Sequence, residues 1–251
     1  MSACMERTVF RLSGADRIDF LQNLVTNDVR GLEHGLVWAA LLTPQGKCLA
    51  DFFLVPDGEE ALLLDVATPL AADLAKRLKM YKLRAKVELE ETELTVSRGT
   101  GPAPEGAWPD PRDPAMGWRA YNGAPGDDTD WDALRVAHVV PESGVELVPG
   151  ESYPLELCFE RLHGVDFRKG CYVGQEVTAR MKHKTELKKG LVRVSIEGAA
   201  PVGSQIMAGE KPVGTLYTQS GGAALAWLRF DRAADEMQAE GAKLTWDGQK
   251  P

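Results

Sequence analysis

The apolar residues Ile18, Phe20, Leu21, Leu24 and Val25 recur at the spacing of one helical face, and Ser13-Gly14-Ala15-Asp16 just ahead of them supplies capping side chains. This predicts an amphipathic helix beginning near Asp16. Dense apolar runs over 36–42 and 48–55 read as strands, joined by the turn residues Thr43-Pro44-Gln45-Gly46-Lys47. Pro56-Asp57-Gly58 marks another turn, ahead of a strand over 62–66. Proline in Thr68-Pro69 suits the first turn of a helix, and Leu70, Leu74 and Leu78 give that helix an apolar stripe. Strands follow over 87–89 and 94–96. Elements in this order predict an α+β module of ferredoxin-like type.

Pro102, Pro104, Pro109, Pro111 and Pro114 crowd the stretch 99–117, where fixed φ and missing N–H groups oppose regular structure, so a connection between modules is expected. Gly123-Ala124-Pro125-Gly126-Asp127-Asp128 reads as a polar turn. Short helices are expected over 131–140, stopped by Pro141, and over 154–162, entered at Pro154. From about Lys189 the alternation Val192, Val194, Ile196, then Val213, Leu216 and the run 223–230, predicts a small all-β module.

A chain of 251 residues can form one large domain or two to three small ones. No run approaches the roughly 18 apolar residues of a membrane span. Glu6 and Arg7 interrupt the N-terminus where a signal peptide would be apolar. A soluble, cytoplasmic protein without a membrane partner is therefore expected. Cys4, Cys48, Cys158 and Cys171 include no CxxC pair, which argues against a zinc site, an intrinsic cluster or a disulfide framework. The net charge of −8 opposes direct nucleic-acid binding. Two segments run against that balance. Lys76, Arg77, Lys79, Lys82, Arg84 and Lys86 stand together without an acidic residue, and Arg168, Lys169, Arg180, Lys182, Lys184, Lys188 and Lys189 outnumber Glu176 and Glu186. Either segment alone reads as a solvated face, whereas the two brought together would suit a small polyanion.

Candidate chemistry centres on Lys169-Gly170-Cys171-Tyr172-Val173-Gly174-Gln175-Glu176. Positive charge on Arg168 and Lys169 beside a thiol favours the nucleophilic thiolate. Gly170 and Gly174 permit positive φ or close approach, and Gln175 and Glu176 offer hydrogen-bonding groups. A buried free cysteine in a glycine-flanked turn explains the same residues. The longer run Gly164-Val165-Asp166-Phe167-Arg168-Lys169-Gly170-Cys171-Tyr172-Val173-Gly174-Gln175-Glu176-Val177-Thr178-Ala179-Arg180 resembles the signature of the YgfZ family of folate-binding proteins. That family is related to the glycine-cleavage T-protein, a tetrahydrofolate-dependent aminomethyltransferase. Phe20-Leu21-Gln22-Asn23-Leu24-Val25-Thr26-Asn27-Asp28, Leu41-Leu42-Thr43-Pro44-Gln45-Gly46-Lys47 and Met80-Tyr81-Lys82-Leu83-Arg84-Ala85-Lys86 resemble it in the same order. The likeness covers nearly the whole chain and is weakest over 121–130 and in the last few residues.

The resemblance implies a T-protein-like, multi-lobe α+β arrangement around a central hole. Its parts would be a split first folate-binding lobe (1–48 and 117–188), a ferredoxin-like second lobe (49–116) and a small C-terminal β-barrel (189–251). It implies tetrahydrofolate as cofactor, near Lys169, Gly170, Tyr172, Gly174, Gln175, Glu176, Arg180, Asn27, Lys47, Lys82 and Arg84. The glutamate tail of the folate would be the polyanion, and Tyr172 would be placed to stack on the pterin. Cys171 is then the expected catalytic residue, a thiolate that engages a cluster, a persulfide or a target protein. The function implied is a folate-dependent factor for assembly or repair of iron–sulfur proteins, including tRNA-modifying enzymes, with those proteins or their assembly machinery as partners. A tetrahydrofolate-dependent one-carbon transferase and a non-catalytic scaffold are the alternatives. The T-protein relies on an aspartate, and the sequence places neither Asp65 nor Asp73 on that position; Asp73 fits a solvated helix face equally well. His183-Lys184-Thr185-Glu186 lacks the Arg-Gly pair of relatives, which gives up bidentate recognition of a carboxylate. Cys158 and His163 near the signature are expected to be a packed cysteine and a surface histidine.

Overall fold

The computed structural model describes residues 6–184 and 186–250. Cys4 and Thr185 lie outside them. Strands β1 (Arg7–Ser13), β2 (Val37–Leu42), β3 (Cys48–Asp57), β4 (Ala61–Ala67) and β5 (Glu88–Glu91) form one antiparallel sheet in the order β2-β3-β4-β1-β5. The apolar runs are nearly continuous because the central strands are covered on both sides; every residue of β2 and of β4 is buried. Side chains alternate between the two faces. On one face Phe10, Leu12, Val37, Phe52, Leu62 and Leu64 pack with helix α1 (Arg17–Gln22) and with Ala71, Leu74 and Leu78 of helix α2 (Thr68–Tyr81). On the other, Val9, Trp38, Ala40, Leu42, Phe53 and Leu63 meet Leu155, Phe159, Leu162 and Tyr172.

A lobe boundary between residues 48 and 49 does not follow this sheet. It falls inside β3, and β2 pairs with β3 across it from Val37↔Leu54 to Leu42↔Cys48, so both sides share one core. The strand expected over 94–96 begins later, as β6 (Ser97–Gly99), which joins β7 (Trp108–Pro109) and β8 (Trp118–Ala120) in the order β6-β8-β7. Helix α3 (Trp131–His138) is capped by Asp130, whose carboxylate accepts from Ala133 N at 3.0 Å. The expected helix over 154–162 is only a 3-10 turn, Pro154–Leu157, because the chain enters the left-handed region at Cys158 (φ 63). Helix α4 (Gln175–Lys184) follows the signature cysteine and has Glu176 in its first turn, where a carboxylate suits the helix dipole.

The C-terminal part is a closed barrel of β9 (Lys189–Glu197), β10 (Gln205–Ala208), β11 (Lys211–Ser220), β12 (Ala223–Arg229), β13 (Met237–Ala239) and β14 (Ala242–Thr245), in the order β10-β11-β12-β9-β14-β13. Closure leaves no free strand edge. Val192, Val194, Ile196, Ala224 and Leu228 point into the barrel core, while Leu191, Ala223 and Leu225 on the same strands join the core of the body. Period-two alternation in β9 and β12 thus serves two cores at once. Among the described residues, no helix is long and apolar enough to cross a membrane.

Candidate functional site

The end of a helix leaves carbonyls without intrahelical donors. At the end of α1 those carbonyls are met by Lys169, whose Nζ donates to Gln22 O at 2.7 Å and Val25 O at 2.5 Å. Gln22 Nε2 returns a hydrogen bond to Lys169 O at 3.3 Å. Lys169 is 9% exposed, and burial brings its ammonium down to about 8 despite Asp28 and Asp166 nearby. The next residues extend this seam. Thr26 Oγ1 donates to Gly164 O at 2.7 Å and accepts from Ala40 N at 2.9 Å, and Asp166 N donates to Thr26 O at 3.1 Å. Asn27 Nδ2 donates to Trp38 O at 2.8 Å and His163 O at 2.6 Å.

A second seam lies on the other side of the cysteine. Gly174 has φ +83, and a Cβ there would stand 2.5 Å from Thr43 O. Gly46 closes the turn between β2 and β3 with φ +79, and a Cβ on it would meet Val177 Cβ of α4 at 2.8 Å. Two glycines therefore let the turn and the start of α4 touch through their backbones. Gln175 Nε2 donates to Gly170 O at 2.8 Å, and Arg180 pairs with Glu176 at 2.6 Å on the solvent face of α4. The Tyr172 hydroxyl is buried, and Lys169 Nζ lies 5.2 Å from its ring centroid. Between the seams, Gly170 (φ +103) and Cys171 stand exposed. Cys48 and Cys158 are buried, and burial pushes both thiols up. Cys158 is the packed cysteine and His163 the surface histidine that the sequence suggests.

The structure thus brings Asn27, the turn ending at Lys47, and the run from Lys169 to Arg180 together, with two changes of role. Lys169 and Asn27 spend their donors on backbone carbonyls, so Lys169 is a positioning residue rather than a cation aimed at the thiol or at a ligand. Lys82 and Arg84 are elsewhere. Lys82 lines a groove with Phe20, Leu78 and Val87, and Arg84 is exposed. The segment they belong to reaches α1 at its other end, where Asp16 Oδ2 accepts from Lys86 N at 2.7 Å. The two basic segments flank α1 instead of facing a common cavity. A cavity of about 590 Å³ does exist between the barrel and α3, but Arg161, Arg193 and Lys250 line it and none of the expected folate contacts does. The residues expected to hold tetrahydrofolate do not form one cradle. Among the described residues, no group of three or more His, Cys, Asp or Glu is placed to hold a metal ion.

Asp65 is fully buried. It accepts from Arg7 Nε at 2.6 Å, Arg119 Nη2 at 2.7 Å and the Tyr121 hydroxyl at 2.8 Å. Burial alone would raise its pKa, but Arg7 and Arg119 outweigh that and hold it at about 2. Beside it Asp110 binds Arg112 through two contacts, at 2.9 and 2.8 Å, and Arg119 lies 3.9 Å from the Phe53 ring centroid. This carboxylate has no access to a substrate. Asp73 is on the exposed face of α2, paired with Arg77 at 2.6 Å. Sequence reasoning missed the Asp65 network; its one signal was an acid inside the apolar strand β4.

Residues 188–250 match the family model described as the CAF17 C-terminal beta-barrel domain. The iron-sulfur cluster assembly factor IBA57 homolog, mitochondrial, of Mycosarcoma maydis is 34% identical over 233 residues, covering 79% of this chain and 58% of that protein. The mitochondrial factor IBA57 of Mus musculus is 33% identical over 235 residues, covering 78% of the chain and 66% of the relative. That of Homo sapiens is 29% identical, covering 95% and 80%. The chain therefore spans 58% to 66% of the first two relatives' length. Among solved structures, the glycine cleavage system aminomethyltransferase T of Bartonella henselae superposes with a TM-score of 0.73 at 11% identity, covering 96% of this chain and 82% of that one. The fold is aminomethyltransferase-like with a six-stranded C-terminal barrel. The expectation of a cytoplasmic location is corrected by the relatives, which are described as mitochondrial.

Proposed function

We propose that this chain, a relative of the IBA57 family of iron–sulfur cluster assembly factors, acts in the assembly of iron–sulfur proteins and uses the thiol of Cys171 to do so. The observation that carries this reading is the position of that sulfur. Cys171 is the exposed one of the three described cysteines, and it sits on a short loop clamped at Lys169 on one side and at Gly174 on the other. A thiol presented this way can ligate cluster iron, or take up sulfane sulfur from a donor persulfide whose own thiolate is the leaving group. Its partners would be iron–sulfur apoproteins or the assembly machinery. One-carbon transfer through an aspartate finds no support, since Asp65 is enclosed by three donors and Asp73 is paired on a helix surface.

Tetrahydrofolate is the ligand implied by the YgfZ-type signature, and Lys47 of the β2–β3 turn with the paired Glu176 and Arg180 of α4 are the charged side chains that would meet it. The reading is tested in cells lacking their own IBA57-type factor, by measuring iron–sulfur enzyme activity after expression of the parent chain or Cys171→Ala. The parent should restore activity, and the variant should fold normally yet fail to restore it. Full restoration by Cys171→Ala would remove the thiol from the mechanism. Calorimetric titration of the purified chain with tetrahydrofolate decides the ligand separately.

A further inference from the structure

The end of α2 exposes Met80 (67%), Tyr81 (38%) and Leu83 (89%). Leu83 also has φ 43, in the left-handed region that a branched apolar side chain rarely occupies. A nearly fully exposed leucine held in a strained backbone conformation contributes nothing to the core, and such strain concentrates at binding sites. Lys76, Lys79, Lys82 and Arg84 belong to the same stretch of chain, and among the described residues none of them forms a salt bridge, whereas Arg77 is engaged by Asp73. Beside this tip runs a groove of about 330 Å³ with Phe20, Leu78 and Leu89 in its floor. Lys79 and Lys82 line it together with Glu88 and Glu90.

We infer that the α2 tip and its groove form a docking site for an acidic protein segment that carries an apolar side chain. The segment's carboxylates would face the unpaired Lys76, Lys79, Lys82 and Arg84, and its apolar side chain would enter the groove beside Leu78. Charge complementarity selects the partner, and the groove gives the apolar side chain a shaped recess of the kind that anchors interfaces. An anionic lipid surface fits less well, because it cannot fill a groove. The inference concerns a surface formed by α1, α2 and β5, and it stands or falls independently of the chemistry at Cys171.

The test is selection of a displayed library of random 12-residue peptides on the full chain, with counter-selection on the variant K79E/K82E. Enriched peptides should carry net negative charge and at least one Leu, Ile or Phe. Measured by fluorescence anisotropy, their affinity should fall about tenfold or more in K79E/K82E, the size expected for reversing two exposed charges. It should fall several-fold in Leu83→Gly, and binding should weaken as salt is raised. Leu83→Gly relieves the positive-φ strain, so its circular dichroism and Tm should match or exceed the parent, which separates lost binding from lost folding. No enrichment over the variant, enrichment of basic or neutral peptides, or unchanged affinity in both variants would overturn the inference. So would sedimentation with phosphatidylglycerol vesicles that depends on Leu83 in the absence of peptide binding, since the surface would then be a lipid contact.

Discussion

A carboxylate in the middle of an apolar strand is tolerated only if donors meet it, and Asp65 has three, from Arg7, Arg119 and Tyr121. Asp65→Asn keeps the shape but takes from the buried Arg7 and Arg119 their shared counter-charge, leaving Arg119 only the more distant Asp110 at 3.8 Å. It is expected to cost about 3–5 kcal/mol in urea unfolding. The folded pKa of about 2 lies below the ordinary 3.8. The contribution of Asp65 is therefore complete above about pH 4 and is lost as pH falls from there through 2. The difference in stability between parent and Asp65→Asn should shrink across that window. The sequence could show an acid in an odd place but not its partners, since Arg7 is 58 residues away and Arg119 is 54. The same limit hid the role of Lys169. A cation near a cysteine reads as thiol chemistry, yet its hydrogen-bond partners, the last residue of α1 and Val25 just beyond it, lie 147 and 144 positions earlier.

At the scale of elements, periodicity carried far. The first helix, the strands β2 to β4, the α2 stripe and the β character beyond Lys189 were all legible, because each alternates or repeats against a core that covers it. Two readings failed for local reasons. The stretch after Pro154 looked helical, but its chain turns left-handed at Cys158. Helix α4 was concealed by Gly174 immediately before it, whose service is to the β2–β3 turn. That service is testable: Gly174→Ala places a Cβ 2.5 Å from Thr43 O at φ +83. The substitution should lower stability by about 1–3 kcal/mol, read from thermal unfolding.

For the whole molecule, the linkage between body and barrel is polar as well as apolar. Arg135 of α3 donates to Glu146 at 2.9 Å and to Thr218 Oγ1 of β11 at 2.8 Å, and Thr218 donates to Glu146 at 2.6 Å. Arg135→Leu leaves Glu146 buried without its cation and should cost about 3–5 kcal/mol in urea unfolding. Thr218→Val, which removes only the hydroxyl, should cost about 1–3 kcal/mol. None of these three residues stood out in the sequence, because each looks ordinary until the barrel is set against α3. The clamps around Cys171 have a mechanical consequence. Lys169 is fastened to α1 and Gly174 abuts the β2–β3 turn, so a pull on the sulfur runs directly into two elements rooted in the central sheet. The cysteine behaves as a rigid post and not as a tether, and a partner that grips it must bring its own reach.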